Sequence, residues 1–124
     1  MVAGYLGTLG IMGRHYRGDG WCVTFQKAVE SVLSQANTLP VSFVDFEIIP
    51  PWHGGPNGMG LWFICDTEAN RNRFRSEALA CATKKVVDSM VSKGFPSNAA
   101  STLETNVTSL EDMERVGNRF YYFR

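Results

Sequence analysis

Residues 50–60 constrain the fold most, because this segment cannot form regular structure. Its eleven residues, PPWHGGPNGMG, include three prolines and four glycines, which are disfavoured inside helices and strands. Residues 41–49 (VSFVDFEII) and 61–66 (LWFICD) on either side are rich in β-branched and aromatic residues. They predict two strands joined by a loop that is much longer than a hairpin requires. The second run hardly alternates, which predicts a central strand covered on both faces.

Two amphipathic helices are predicted beside these strands. Apolar residues recur at helical spacing over residues 21–36, and Pro40 stops the pattern. A second apolar stripe covers residues 79–91. The sequence offers alternative N-terminal caps and one clear C-terminal stop for this second helix: Asp66, Thr67 or Ser76 at its start, and Lys-Gly-Phe-Pro at residues 93–96.

The remaining segments complete an α+β pattern. Residues 102–108 alternate weakly as a strand, and Ser109 is placed to cap a short helical turn that ends at Gly117. A bent strand is predicted over residues 3–12 and an aromatic strand over residues 119–124. The order βαββαβ with a further terminal strand predicts one domain, residues 1–124, with a ferredoxin-like fold. In that fold, an antiparallel sheet of four to five strands carries two helices on one face and leaves the other face uncovered.

Composition excludes several classes of function. Lys and Arg number 12 against 12 Asp and Glu, so the formal net charge is +0, which argues against binding nucleic acid by phosphate neutralisation. The sequence contains no run of 18 apolar residues, so it predicts no membrane span. The charged fraction is 19%, below the usual value of about 25%, which indicates that a partner or ligand covers part of the surface.

The cysteines and the N-terminal sequence indicate the compartment. The three cysteines form an odd set without CxxC spacing, as expected of free, reduced thiols. The first twenty residues lack the pattern of a signal peptide. We therefore expect a cytoplasmic protein whose cysteines are structural.

Two groups of residues could carry chemistry near the long loop. Trp52 and His53 lie within it, where an aromatic ring and an imidazole are available for recognition. Asp45 and Glu47 alternate on the preceding strand, so their carboxylates share one face about 7 Å apart. That spacing suits acid–base chemistry or two hard metal ligands, but it is also typical of a solvated strand face.

The one basic cluster, Arg71-Asn72-Arg73-Phe74-Arg75, has two interpretations. Arg71 and Arg75 are like charges near the positive end of a helix dipole, an arrangement that an external anion would explain. The alternative is internal pairing with the acidic residues near the C-terminus: Glu111, Asp112 and Glu114.

The leading hypothesis is a binding module without catalysis, cofactor or metal. Its sheet face and the loop of residues 50–60 would engage a second copy in a homodimer, another protein (as inhibitors and immunity proteins do) or a small ligand. The predicted contact residues are Trp52, His53, Asp45, Glu47, Trp62, Arg71 and Arg75. The runner-up is a small enzyme without a cofactor, in which His53 is the acid or base and Asp45 or Glu47 supports it.

Overall fold

The structure, a computed structural model, describes residues 20–117 of the 124-residue chain. The strands predicted at residues 3–12 and 119–124 lie outside the described residues. The elements follow one another as α1 (Trp21–Leu33), a 3₁₀ turn (Ala36–Thr38), β1 (Asp45–Ile49), β2 (Gly60–Cys65), α2 (Glu68–Glu77), α3 (Leu79–Ser92), α4 (Ser97–Ala100), β3 (Glu104–Ser109) and α5 (Leu110–Arg115). None of the helices between residues 20 and 117 is long and apolar enough to cross a membrane.

The strands form one mixed sheet in the order β1–β2–β3. Strands β1 and β2 pair antiparallel, whereas β2 and β3 pair parallel. The predicted ferredoxin-like sandwich is therefore wrong: residues 20–117 form an α+β structure with a three-stranded mixed sheet and five α-helices. The physical reason lies in residues 66–103, whose helices form a crossover that returns the chain beside β2 in the same direction. Strand β2 is central, as predicted.

The second predicted helix is two helices. Thr67 caps α2 by accepting a hydrogen bond from the Asn70 N–H at 3.1 Å, so the early start is the correct one. Ala78 has φ −129° and ψ −18°, and this departure from helical geometry separates α2 from α3. The predicted stop is confirmed: Gly94 has φ 98°, and the Phe95 N–H donates to the Met90 carbonyl at 3.0 Å, as in a Schellman motif.

The core lies between the helices and one face of the sheet. Helix α1 buries most of the apolar stripe predicted for it, although Trp21 at its start is exposed, and it packs on α3. Phe43, Phe63 and Phe74 form a buried aromatic group with ring centroids 4.9 to 5.9 Å apart. These separations are typical of edge-to-face and tilted packing, which stabilises a core beyond the area it buries.

The predicted helical turn after β3 is confirmed as α5. The Ser109 side chain caps it by accepting from the Asp112 N–H at 3.0 Å, and Gly117 follows its end with φ 104°. Because β3 ends at Ser109, the cap fixes α5 at the carboxyl end of the parallel strands.

Candidate functional site

The long loop between β1 and β2 has a backbone that its glycines permit. Ile49 and Gly60 face each other in the sheet, so residues 50–59 form the connection, which we call the Trp52 loop. Gly54, Gly55 and Gly58 have φ values of 79°, 83° and 82°, in the left-handed region that other residues rarely adopt. The Gly54 N–H donates to the Pro51 carbonyl at 3.0 Å and closes a turn around Trp52 and His53.

The C-terminal end of the Trp52 loop is tied to the segment that leads into β3. The Gly58 N–H donates to Thr102 Oγ1 at 2.9 Å, and Thr102 Oγ1 donates to the Ala99 carbonyl at 2.6 Å. Met59 is buried, and its carbonyl accepts from the Glu104 N–H at 3.0 Å. The loop is therefore held at this end by contacts more than forty residues away in sequence.

Trp52 is the most exposed large apolar side chain of residues 20–117, with 95% of its surface accessible. His53 is also exposed, and its ring centroid lies 6.3 Å from that of Trp52. His53 Nδ1 lies 2.9 Å from the Gly54 carbonyl oxygen, which can only accept, so this hydrogen bond places a proton on Nδ1. The two side chains together present an aromatic surface with one imidazole nitrogen at its edge.

Asp45 and Glu47 share one face of β1, as their alternation predicts. Asp45 lies opposite Ile64, and Glu47 lies opposite Trp62 on the neighbouring strand. Asp45 accepts from the Phe46 N–H at 2.8 Å. The structure thus brings Glu47 and Trp62 together, with Glu47 buried and Trp62 half-buried.

The hydrogen bonds of residues 20–117 do not join His53 to Asp45 or Glu47, as the enzyme hypothesis requires. Asp45 and Ile49 are separated by about 14 Å along β1, and His53 lies beyond Ile49 in the loop. Within residues 20–117, His53 donates or accepts no hydrogen bond with a carboxylate. No group of three or more His, Cys, Asp or Glu residues in this range could hold a metal ion. Catalysis by His53 stays a prediction.

A second polar cluster lies at the carboxyl ends of β2 and β3, at the opposite end of these strands from the Trp52 loop. Arg71 Nη1 donates to Asp112 Oδ2 at 2.6 Å, and the Ser109 hydroxyl donates to the same oxygen at 2.9 Å. Asp112 is 9% exposed. Burial by itself would raise the pKa of Asp112, but hydrogen bonds from Ser109, Arg115 and Arg71 outweigh it and hold the pKa below the usual range.

An outer layer of ion pairs surrounds Asp112. The Arg115 guanidinium contacts both Asp112 and Glu68, and the Glu68 N–H donates to Glu111 Oε1 at 2.6 Å. These contacts connect α5 to the first turn of α2. We call Glu68, Arg71, Ser109, Asp112 and Arg115 the Asp112 cluster.

The arginines predicted for an anion or for internal pairing separate in the structure. Arg71 pairs internally with Asp112, whereas Arg73 lies 3.4 Å from Glu77 on its own helix. Arg75 is exposed and has no ion pair within residues 20–117. A role for Arg71 or Arg75 in binding an external anion stays a prediction.

Sequence reasoning missed three residues that organise these sites: Thr102, Glu68 and Arg115. Thr102 begins the weak strand predicted over residues 102–108, and no local pattern connects it to Gly58. Glu68 and Arg115 are 47 positions apart, so only the packing of α5 on α2 brings them together.

An open depression on the described part of the surface lies elsewhere. It has a volume of ≈ 640 Å³ and is lined by charged and polar residues of α1 together with Lys93: Thr24, Lys27, Glu30, Ser31 and Lys93. None of the predicted site residues lines it. No protein-family model matches the sequence, and no curated protein or solved structure is significantly similar to it.

Proposed function

We propose that this protein is a small cytoplasmic binding protein that associates with a second copy of itself through the Trp52 loop. The observation that carries the proposal is the 95% exposure of Trp52. An aromatic side chain of this size buries roughly 150–250 Å² when a partner covers it. Tryptophan is also among the residues that most often dominate the binding energy of protein interfaces.

The anchoring of the loop supports this role. The Gly54 N–H donates a hydrogen bond that closes the turn around the exposed ring, and the hydrogen bond from the Gly58 N–H and the burial of Met59 hold the C-terminal end of the loop. A loop that is ordered before association loses less conformational entropy when it binds. Less of the energy gained by covering Trp52 is therefore spent on ordering the backbone.

Charge supports a second copy as the partner. The formal net charge is +0 and only 19% of residues are charged, so two copies do not repel each other strongly. A different protein, including one that this chain would inhibit, and a small ligand are the alternatives.

The sheet face contributes less to the proposal than the loop does. On the face of β2 that points away from Phe63, Ile64 is buried and Trp62 is half-buried. Trp62 is proposed as a contact only at the edge of the interface.

The cytoplasmic location rests on the thiols. Cys22, Cys65 and Cys81 are all free, and cytosolic reductants keep such thiols reduced.

Sedimentation velocity over a wide concentration range tests the proposal on the purified chain. We expect the wild type to form a dimer that dissociates on dilution. Trp52→Ala is expected to raise the dimer Kd at least about fivefold, since loss of an aromatic anchor costs more than 1 kcal/mol. His53→Ala is expected to have a smaller effect. Val91→Ala, which removes an exposed apolar side chain on α3, is the matched control and should leave Kd unchanged.

Two results would contradict this proposal. A wild type that sediments at the monomer mass of 13.8 kDa at every concentration rejects the second copy as partner. A dimer that Trp52→Ala and Val91→Ala weaken equally rejects the loop as the interface. If the wild type stays monomeric, a different partner that binds the loop would have to bind the wild type and Val91→Ala but not Trp52→Ala.

A further inference from the structure

The Trp52 loop contains the one Asn-Gly pair of the sequence, Asn57-Gly58. In such a pair the backbone nitrogen of the glycine can attack the side-chain carbonyl carbon of the asparagine and close a five-membered succinimide. Glycine favours this step because it has no Cβ to obstruct the approach and allows a wide range of backbone conformations. The pair therefore marks a possible covalent modification that needs no enzyme.

The surroundings of the pair leave room for this reaction. Asn57 and Gly58 are both exposed, so water reaches the site and ammonia can leave it. Gly58 has φ 82°, and a Cβ placed on it would have the Pro51 Cβ, 4.0 Å away, as its one neighbour within that distance. The neighbourhood of the Gly58 Cα is therefore not crowded by packed side chains.

The attacking atom, however, is held by a hydrogen bond. The Gly58 N–H donates to Thr102 Oγ1 at 2.9 Å, and the Thr102 hydroxyl is itself oriented by the Ala99 carbonyl at 2.6 Å. The Gly58 nitrogen must leave this hydrogen bond before it can lose its proton and approach Asn57. Thr102 therefore opposes the reaction in the folded protein.

We infer that Asn57 is a site of spontaneous deamidation and that the Gly58–Thr102 hydrogen bond limits its rate in the folded protein. In the first step a bond forms between the Gly58 nitrogen and Asn57 Cγ, the Cγ–Nδ2 bond breaks, and the amide group leaves as ammonia with the proton from Gly58. In the second step one water molecule opens the succinimide and gives aspartate or isoaspartate at position 57. No oxidant or reductant takes part.

The reaction changes the candidate site independently of whether that site binds a second copy. It adds one negative charge to a chain whose formal net charge is +0, five residues from Trp52. The isoaspartate product also lengthens the backbone within a loop that is anchored at Gly58 and Met59.

Peptide mapping by mass spectrometry tests this inference on the full chain, incubated at mildly alkaline pH. We expect aspartate and isoaspartate to accumulate at position 57 in the wild type. Thr102→Val should accelerate the conversion about threefold to tenfold, the factor that corresponds to loss of one hydrogen bond. Thr102→Ser keeps the hydroxyl and should convert at the wild-type rate, and Asn57→Gln should not convert, because its longer side chain cyclises poorly.

Circular dichroism establishes that the variants fold before their rates are compared. If Thr102→Val does not fold, the wild type in buffer is compared with the wild type unfolded in urea, where conversion should be faster. Equal rates in that comparison, equal rates for Thr102→Val and Thr102→Ser, or no conversion at position 57 in any folded variant would each overturn the inference.

Discussion

Replacing Asp112 with alanine should destabilise the protein strongly, although Asp112 lies on a helix of only six residues. Its carboxylate accepts charge-assisted hydrogen bonds from Arg71 and Arg115 and one from the Ser109 hydroxyl. A hydrogen bond to a charged group contributes about 1.5–3 kcal/mol, and breaking a fully buried ion pair costs about 3–5 kcal/mol. The Arg71 side chain is 20% exposed, so water partly solvates the charge left behind. We therefore expect a loss of about 2–4 kcal/mol of unfolding free energy, with nothing counted for the exposed Arg115.

Urea denaturation measures this loss. With a slope of about 2 kcal/mol per molar urea, the middle of the usual range, the unfolding midpoint of Asp112→Ala should fall by about 1–2 M while the slope stays constant. Asp88→Ala is the matched control, since Asp88 accepts from Lys84 at 2.9 Å but the two side chains are 64% and 75% exposed. The control should show no resolvable change, because exposed ion pairs are screened by water and salt.

Similar midpoints for the two variants would refute the argument. They would mean that the Asp112 cluster contributes no more than a surface ion pair, and that α5 is held on α2 by other contacts. A double mutant with Arg71→Met separates the pairwise contribution from the loss of the Ser109 contact.

Two further predictions concern protonation and thiol reactivity. The pKa of folded Asp112 lies below the unfolded value of 3.8, so its contribution to stability is fully present well above pH 3.8 and is lost as the pH falls through the folded pKa. The difference in unfolding free energy between the wild type and Asp112→Asn should therefore shrink on acidification. A constant difference would contradict this. Burial raises the pKa of the Cys65 thiol to about 12, with the charge of Asp66 adding to this effect and that of Arg71 opposing it. A thiol reagent at neutral pH should therefore modify the exposed Cys81 first and Cys65 only after unfolding. Rapid modification of Cys65 in the folded protein would instead indicate a reactive site.

The parts of the fold that the sequence predicts correctly are those set by local interactions. Ser109 and Thr67, the latter one of three alternative caps that the sequence offers, cap helices because their hydroxyl groups reach the backbone N–H three residues ahead. Gly94 ends α3 because it adopts a positive φ at no steric cost. Each of these features depends on fewer than ten neighbouring residues, so the signal is complete in the local sequence.

The incorrect parts depend on contacts between distant segments. Periodicity predicts that residues 102–108 form a strand, but it carries no signal for the neighbour of that strand or for its direction. It also cannot reveal the break at Ala78, where the chain leaves helical geometry although alanine favours helices. The internal pairing of Arg71 is one of the two alternatives that the sequence predicts, but periodicity does not reveal that its partner Asp112 is buried.

A comparison of the two ends of the parallel strands β2 and β3 explains why the Trp52 loop is the better candidate for function. Ligand sites in sheets with parallel strands usually lie beyond the carboxyl ends of the strands. Here those ends, Cys65 and Ser109, face each other and lead directly into the Asp112 cluster, whose charged groups bind one another and fix α5. The amino ends, Gly60 and Glu104, also face each other, and the segments that precede them are joined by the Gly58–Thr102 hydrogen bond. This end of the sheet presents an exposed aromatic ring on an anchored backbone. We therefore expect recognition at the amino ends of β2 and β3 and stabilisation at their carboxyl ends.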